Sequence, residues 1–439
     1  MPFRVNFQGS AFETHVFHGV LAIFFVAAVF SVDYFYDQKD FYAFFPIYTL
    51  AFVSLMLLYK SSIPLHYLLV IGIISRISMI FIFPGLSDDI YRFFWDGKLI
   101  NSGFSPYGIL PSEVLAKNLP YLDHTLLNLL NSKPYYTIYP PVSQLYFAAS
   151  SWFGDLKVAV IIMKILFLFS ESIGLQYIFK LLKKFNLTPR LAYLYFLNPL
   201  IIIEGIGNLH FEVIMISFLS IGIYYIFNKN LLVGAFWMSV SIGVKLLPLM
   251  ILPYLWLNLH GKDRLFFFGG LVFFSGIIFI PMANGIEFTS FLSSVDLYFR
   301  KFEFNASVYY VFRFIGQQIF EYNLIYYVGP LLGLTVLAYN FYRASKEKIF
   351  SLNQFIKYAL IVWTIYLFLA TTVHPWYVCS LVFLGLFSSA RYTMVWSYLI
   401  FLSYVNYSHG KYFENLWWIA FEYLVVFGVF LLDIRKNKY

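Results

Sequence analysis

The sequence predicts an all-α protein, a polytopic bundle of transmembrane helices with long loops on one side. Three observations carry that prediction. Of the 439 residues, 61% are hydrophobic and only 12% are charged, where a soluble domain carries roughly 25%. Apolar runs recur along the whole chain, and many reach the roughly 17 to 25 residues that a helical span needs. Lys and Arg collect in alternate connections, the asymmetry that orients a multi-pass protein. The net charge of +8 follows from those loops and calls for no nucleic acid. The single cysteine, Cys379, excludes an internal disulfide and a cysteine metal cluster.

In chain order, the first span runs from about His15 to Val32, and no small-residue cleavage site follows it, so it reads as a retained helix. An acidic turn holds Asp33, Asp37 and Asp40. A second span, about Tyr42 to Tyr59, returns to Lys60, and a third, Ile63 to Phe83, stops at Pro84-Gly85. There begins the stretch that organises the chain, SDDIYRFFWDGKLINSGFSPY, Ser87 to Tyr107. Ser87 is placed to cap a new helix, with Asp88 and Asp89 at its positive end, and Asn101-Ser102-Gly103 to close it. This helix is expected to lie along the membrane surface, with Phe93, Phe94 and Trp95 at headgroup level. The loop 85–139 also carries Tyr107, Tyr121, Tyr135, Tyr136 and Tyr139, enough aromatic surface to order it.

The apolar segment from Pro140 to Phe153 is short for a span and reads as a re-entrant or surface helix, which survives only against protein or a cavity. Leu156 to Leu182 descends to Lys183 and Lys184, and about Arg190 to Ile203 climbs back to the polar cluster Glu204, Asn208, His210 and Glu212. Leu209 to Phe227 descends again. Leu231 to Trp256 reads as a helical hairpin broken near Lys245. Phe266 to Pro281 leads to a second large outer loop, 284–323, and further spans follow near 324–342, 355–373, 376–389, 393–408 and 415–432. About 12 to 14 membrane segments result, in one membrane domain, 1–439, with both ends in the cytoplasm.

Ionisable residues at membrane depth are functional candidates. Here they gather at the outer end: Asp88, Asp89, Arg92, Asp96, Glu204, His210, Glu212, Lys245 and His374. Each also has a plain structural role open to it. Asp88 and Asp89 suit any helix start, Arg92 can pair along its helix with Asp88, Asp89 or Asp96, and Lys245 can snorkel. Glu171 is expected to pair with Lys164 on its own helix. No phosphate loop, zinc helix, nucleophile elbow or dinucleotide fingerprint stands in a fitting context. A carboxylate at an outer mouth, nearby cations and aromatic walls suit proton abstraction from a hydroxyl, with a cation stabilising a leaving phosphate. A transporter or lipid flippase would also use intramembrane charges and broken helices, but the broken pattern does not recur in a second half.

Several of these residues form an ordered set of motifs. Ser87-Asp88-Asp89-Ile90-Tyr91, Asp96 and Gly103-Phe104-Ser105-Pro106-Tyr107 resemble the first outer loop of the C-type (GT-C) glycosyltransferases, in particular those dependent on polyprenol- or dolichol-phosphate-mannose. Tyr139-Pro140-Pro141, Asn198-Pro199 with Glu204, Gly207-Asn208 and His210, Lys245-Leu246-Leu247-Pro248, and His374-Pro375-Trp376-Tyr377 resemble later motifs in the same order. The resemblance implies an inverting membrane transferase moving a hexose, mannose first among them, from a polyprenyl-phosphate-linked donor to a hydroxyl of a glycan or glycolipid acceptor. A sibling enzyme with another lipid-linked sugar fits the same motifs. The family's base is an aspartate of the first outer loop. Alignment favours Asp88, but the family's second aspartate falls on Ile90, which leaves Asp89 open. Arg92, Lys245, His210 and His374 are implied for donor phosphate, and Asp96, Tyr107, Tyr139, Glu204, Asn208, Asn305 and Trp376 for substrate. No cofactor is called for, although a divalent metal is not excluded. The implied location is the bacterial plasma membrane, with membrane lipids as partners and the site on the extracytoplasmic side.

Overall fold

The computed structural model describes residues 11–283, 285–347, 349–408 and 413–436. Asn284, first residue of the expected second loop, lies outside them. Among the described residues there is no β-strand, and five helices are long and apolar enough to cross a membrane: His15–Phe35, Gln38–Lys60, Leu156–Lys184, Leu352–Leu369 and Leu416–Arg435. Pro199–Gly207 and Glu212–Phe227, bent by 108° at their junction, make a sixth as one broken span. Shorter apolar helices, Leu65–Met79, Leu231–Val244, Leu247–Asn258 and Pro375–Gly385, fill the bundle between them. The chain is a multi-pass helical membrane protein whose main apolar core runs from Leu21 to Phe430.

The breaks have local causes. At Asn198-Pro199 the proline has no N–H to give, and the Asn198 side chain accepts from Leu200 N instead (3.0 Å). A π-helical turn, Ile203–Gly207, follows. Lys245 is extended (φ −148°, ψ 145°) and ends the helix Leu231–Val244.

Three expectations need correction. Glu171 pairs with Arg76 of the helix Leu65–Met79 (3.0 Å), with both side chains buried, while Lys164 donates to Met79 O (3.1 Å). Lys164 and Glu171 are two turns apart, so neighbouring helices satisfy each of them better. The motif helix runs Asp89–Asn101 with Asp88, not Ser87, at the N-cap position. The Ser87 hydroxyl accepts from Asp89 N (3.3 Å) from one residue further out. That helix is not a surface helix, since Phe93, Phe94 and Trp95 are all buried. It packs on Pro141–Ser151, which in turn packs on Leu156–Lys184. The approach is close because Gly97 faces Phe147: a Cβ there would lie 2.2 Å from the Phe147 carbonyl oxygen. The loop 85–139 has a small core of its own around Phe94, Trp95, Leu99, Leu122 and Leu126. The region after Asn284 forms two helices, Gly285–Arg300 and Val308–Phe320.

Candidate active site

A cavity of about 460 Å³ opens above the start of the motif helix. Its walls come from Leu86–Arg92, the segment 131–139, the helix Gly285–Arg300, residues 302–304, residues 372–376 and the turn of Tyr404 and Tyr407. Of the residues singled out from sequence, Asp88, Asp89, Arg92, Tyr139, His374 and Trp376 line it.

The loop that presents the two aspartates is clamped from below. Asn208 Oδ1 accepts from Leu86 N (2.9 Å), and Gln38 Nε2 donates to Leu86 O (2.7 Å). Asn208 Nδ2 donates to Asp33 Oδ1 (3.2 Å) and Ile203 O (3.0 Å). Asp33 needs Gly207 beside it, where a Cβ would lie 2.0 Å from Asp33 Oδ2. Asn208 is fully buried, and its contacts hold the aspartate loop rather than face the cavity.

The two carboxylates have different surroundings. Asp89 is oriented: Asn131 Nδ2 donates to Oδ1 (3.0 Å), Tyr139 Oη donates to Oδ2 (3.1 Å), and His210 Nδ1 stands 3.9 Å behind Oδ2. Asp88 makes no side-chain cap and is exposed to the cavity. Burial first, then the charges of Asp89 and Asp37, raise its carboxyl above the usual carboxylate range. Neither carboxylate is spent on the helix N-terminus.

Arg92 is buried and pairs with Asp96 one turn on (2.8 Å), while Nη1 donates to Tyr135 O (3.0 Å) and Ser132 O (3.3 Å). It ties the 131–139 segment to the motif helix. Asp96 takes a second bond from Gln144 Nε2 (3.0 Å) and is buried. Tyr107 donates to Tyr139 O (2.9 Å), fixing the residue that holds Asp89.

His210, Trp376, His374 and Phe304 form a column of stacked rings. His210 lies 3.4 Å from Trp376, Trp376 lies 4.4 Å from His374, and His374 lies 4.7 Å from Phe304. Both faces of Trp376 are therefore covered, and only its edge reaches the cavity. Burial, with Lys245 nearby, lowers His374 to about 3, so it is neutral. Behind the column, Lys245 is bonded to buried Glu212 and lies over the Tyr377 ring (5.6 Å). Glu204 accepts from Tyr404 Oη (2.8 Å) and faces His210 Nε2 (3.4 Å). Asn305 points away: it is buried against Glu422 (3.1 Å) with φ +45°, while its neighbours Glu303 and Phe304 line the cavity.

Sequence reasoning missed Asn131, Gln38 and Tyr404. Asn131 sits in a loop without periodicity and carried no signal. Tyr404 lay in a run read only as a span. Among the described residues no group of three or more His, Cys, Asp or Glu is arranged to hold a metal ion.

Residues 45–261 match the family model described as alpha-(1->6)-mannopyranosyltransferase, N-terminal domain. Alpha-(1->6)-mannopyranosyltransferase A of Corynebacterium glutamicum is 23% identical over 211 residues, 43% of this chain and 40% of that protein. GPI mannosyltransferase 1 of Debaryomyces hansenii is 25% identical over 222 residues, 45% of this chain and 51% of that protein. The chain thus spans about half or less of the curated relatives it matches. No solved structure matches it significantly. The matched stretch holds Asp88, Asp89, Tyr139, Glu204, His210 and Lys245, while Asn305, His374 and Trp376 lie beyond it.

Proposed function

We propose that this chain, similar in its first half to mannosyltransferases of the GT-C type, moves mannose from a polyprenyl-phosphate donor to an acceptor hydroxyl on the outer face of the plasma membrane, with inversion. The observation that carries the reading is a cavity walled by an aspartate pair, one of them held by two side-chain hydrogen bonds. A base must be fixed relative to the hydroxyl it deprotonates. Asn131 and Tyr139 fix Asp89 in that way, so Asp89 takes the acceptor proton. The motif alignment alone favours Asp88, which lines the same wall without a side-chain hydrogen bond among the described residues.

As the acceptor oxygen bonds to C1 of the sugar, the C1–O bond to phosphate breaks and its electron pair leaves on the phosphate. That growing charge needs cations. Arg92 lines the cavity, and no partner is seen for its Nη2 among the described residues. Neutral His374 offers a hydrogen bond, and Lys245 supplies positive potential from behind the ring column, where it already acts on His374. Tyr298, Phe302 and Tyr407 of the cavity wall offer the aromatic surface that sugar rings need.

The test uses purified protein in lipid nanodiscs with a panel of synthetic polyprenyl-phosphate hexoses and an alkyl α-mannoside acceptor. Turnover of the mannosyl donor and an inverted anomer in the product are expected. Absence of turnover with every donor, or retention at the anomeric carbon, refutes the proposal.

A further inference from the structure

Behind Asp89 lies a chain of buried groups that leads away from the cavity and ends in a carboxylate. His210 is wedged between Asp89 Oδ2 (3.9 Å from Nδ1) and Glu204 Oε2 (3.4 Å from Nε2). His210 is 3% exposed and Glu204 is fully buried. Among the described residues neither His210 Nε2 nor Glu204 Oε2 makes a hydrogen bond, with the other or elsewhere, and the two stand 3.4 Å apart. The backbone is built to hold the two face to face. The π-helical turn Ile203–Gly207 is closed by His210 N donating to Glu204 O (2.9 Å). Leu209 takes a left-handed conformation (φ +63°), which is unfavourable for leucine and aims His210 back over the turn. Such turns recur at functional sites. Trp376, stacked at 3.4 Å, keeps the imidazole plane fixed. Tyr404 occupies the other Glu204 oxygen (2.8 Å), which leaves Oε2 for the histidine.

We infer that His210 and Glu204 are positioning residues that form a proton relay: they receive through the imidazole the proton that Asp89 takes from the acceptor. The inference rests on the general-base reading of Asp89. The relay requires Glu204 to start as a carboxylate and His210 to carry its N–H on Nε2, toward Glu204. After the acceptor O–H breaks and Asp89 holds the proton, Asp89 gives it to Nδ1 as the Nε2 proton passes to Glu204 Oε2. The imidazole stays neutral and changes tautomer. Asp89 is ionised again once the proton has passed to the imidazole. One proton leaves the acceptor, one arrives at Glu204, and the leaving phosphate keeps the electron pair of the broken C1–O bond. The 3.9 Å gap between His210 and Asp89 is of the kind that tightens when substrate is bound.

The experiment measures single-turnover transfer from synthetic polyprenyl-phosphate-mannose to octyl α-mannoside in nanodiscs, in H₂O–D₂O mixtures, for wild type, Glu204→Gln, His210→Gln and Asp89→Asn. In Glu204→Gln the side chain keeps its size and its bond to Tyr404 but cannot accept a proton. Expected are rates about 10²-fold lower for the Glu204 and His210 variants, unchanged donor affinity, and a proton inventory that is curved in wild type and straight in both variants. His210→Ala is a second route: imidazole added to it restores transfer, and pyrrole, a ring of the same size without the basic nitrogen, does not. Near wild-type rates in Glu204→Gln, a curved inventory persisting in the variants, or equal rescue by pyrrole overturns the relay and leaves a packing role. An active Asp89→Asn overturns instead the assignment of the base, whereas an inactive Asp89→Asn beside an active His210→Gln refutes the relay alone.

Discussion

Substitution of Asp89 by asparagine separates chemistry from architecture, because the two effects differ greatly in size. Asp89 Oδ1 accepts from Asn131 and Oδ2 accepts from Tyr139. An asparagine keeps one acceptor oxygen, so one of the two bonds is retained and the other is lost. A lost hydrogen bond to a carboxylate is worth roughly 1.5–3 kcal/mol, too little to unfold the bundle. Removal of a general base costs about 10²- to 10⁴-fold in rate, or roughly 3 to 5 kcal/mol of barrier. Asp89→Asn therefore keeps its melting temperature within a few degrees, keeps donor affinity and loses transfer. Asp88→Asn breaks no hydrogen bond and removes only a neighbouring charge, so it retains within about tenfold of wild-type rate. The assay is transfer of radiolabelled mannose from polyprenyl phosphate to an alkyl α-mannoside, with donor binding measured in parallel. If Asp88→Asn is the inactive variant and Asp89→Asn is not, the argument from orientation fails and the motif alignment was the better guide. If both stay active, neither carboxylate is the base.

Three further outcomes follow from the geometry. Lys245→Met leaves Glu212, fully buried beside it, without its counter-charge and should destabilise the protein by roughly 3–5 kcal/mol. Adding Glu212→Gln should restore the melting temperature, and the double variant then shows whether donor affinity depends on Lys245; a single variant that melts like wild type contradicts the pairing. Gly97→Ala places a methyl 2.2 Å from the Phe147 carbonyl, and the forced separation should cost about 1–3 kcal/mol, read as a lowered unfolding midpoint. Asp88 has a carboxyl raised by burial and by Asp89, so the folded state binds its proton more tightly than the unfolded state. Its contribution is favourable at low pH and is lost as pH rises through the raised value. Asp88→Asn should therefore gain stability relative to wild type as pH rises above the ordinary carboxylate range, and a difference that does not change with pH there contradicts the cause.

The helical membrane class was legible because it depends on composition and run length, which the sequence states directly. The start of the stretch from Ser87 to Tyr107 stood out because two adjacent carboxylates lie at the mouth of an apolar segment, and Ser87, Asp88, Asp89 and Arg92 line the cavity. Which way each side chain turns was not legible. Phe93, Phe94 and Trp95 suit the lipid headgroup zone and a protein interior equally well, since both are apolar, and only the glycine contact of Gly97 with Phe147 shows which was chosen. Glu171 had a cation on its own helix and another on a neighbour, and three-dimensional proximity decided for Arg76.

The same limit divides the polar cluster at the end of the bundle into two functional layers. Sequence put Asn208, Glu204, His210, Asp96 and Asn305 on one outer side, and a shared side alone suggests one role. In the structure none of the five lines the cavity. Asn208 holds the loop before Asp88, Asp96 holds Arg92, and Asn305 holds the turn that carries Glu303 and Phe304 to the wall. His210 and Glu204 stand directly behind Asp89. A layer of buried polar residues therefore backs a smaller layer that faces the cavity, the arrangement the proposed function needs if its carboxylate is to be held to within a fraction of an ångström. Substitutions in the buried layer should accordingly lower the rate of transfer through the residues they hold, while the open wall of Tyr298, Phe302 and Tyr407 remains where a change of side chain alters which sugar or acceptor fits.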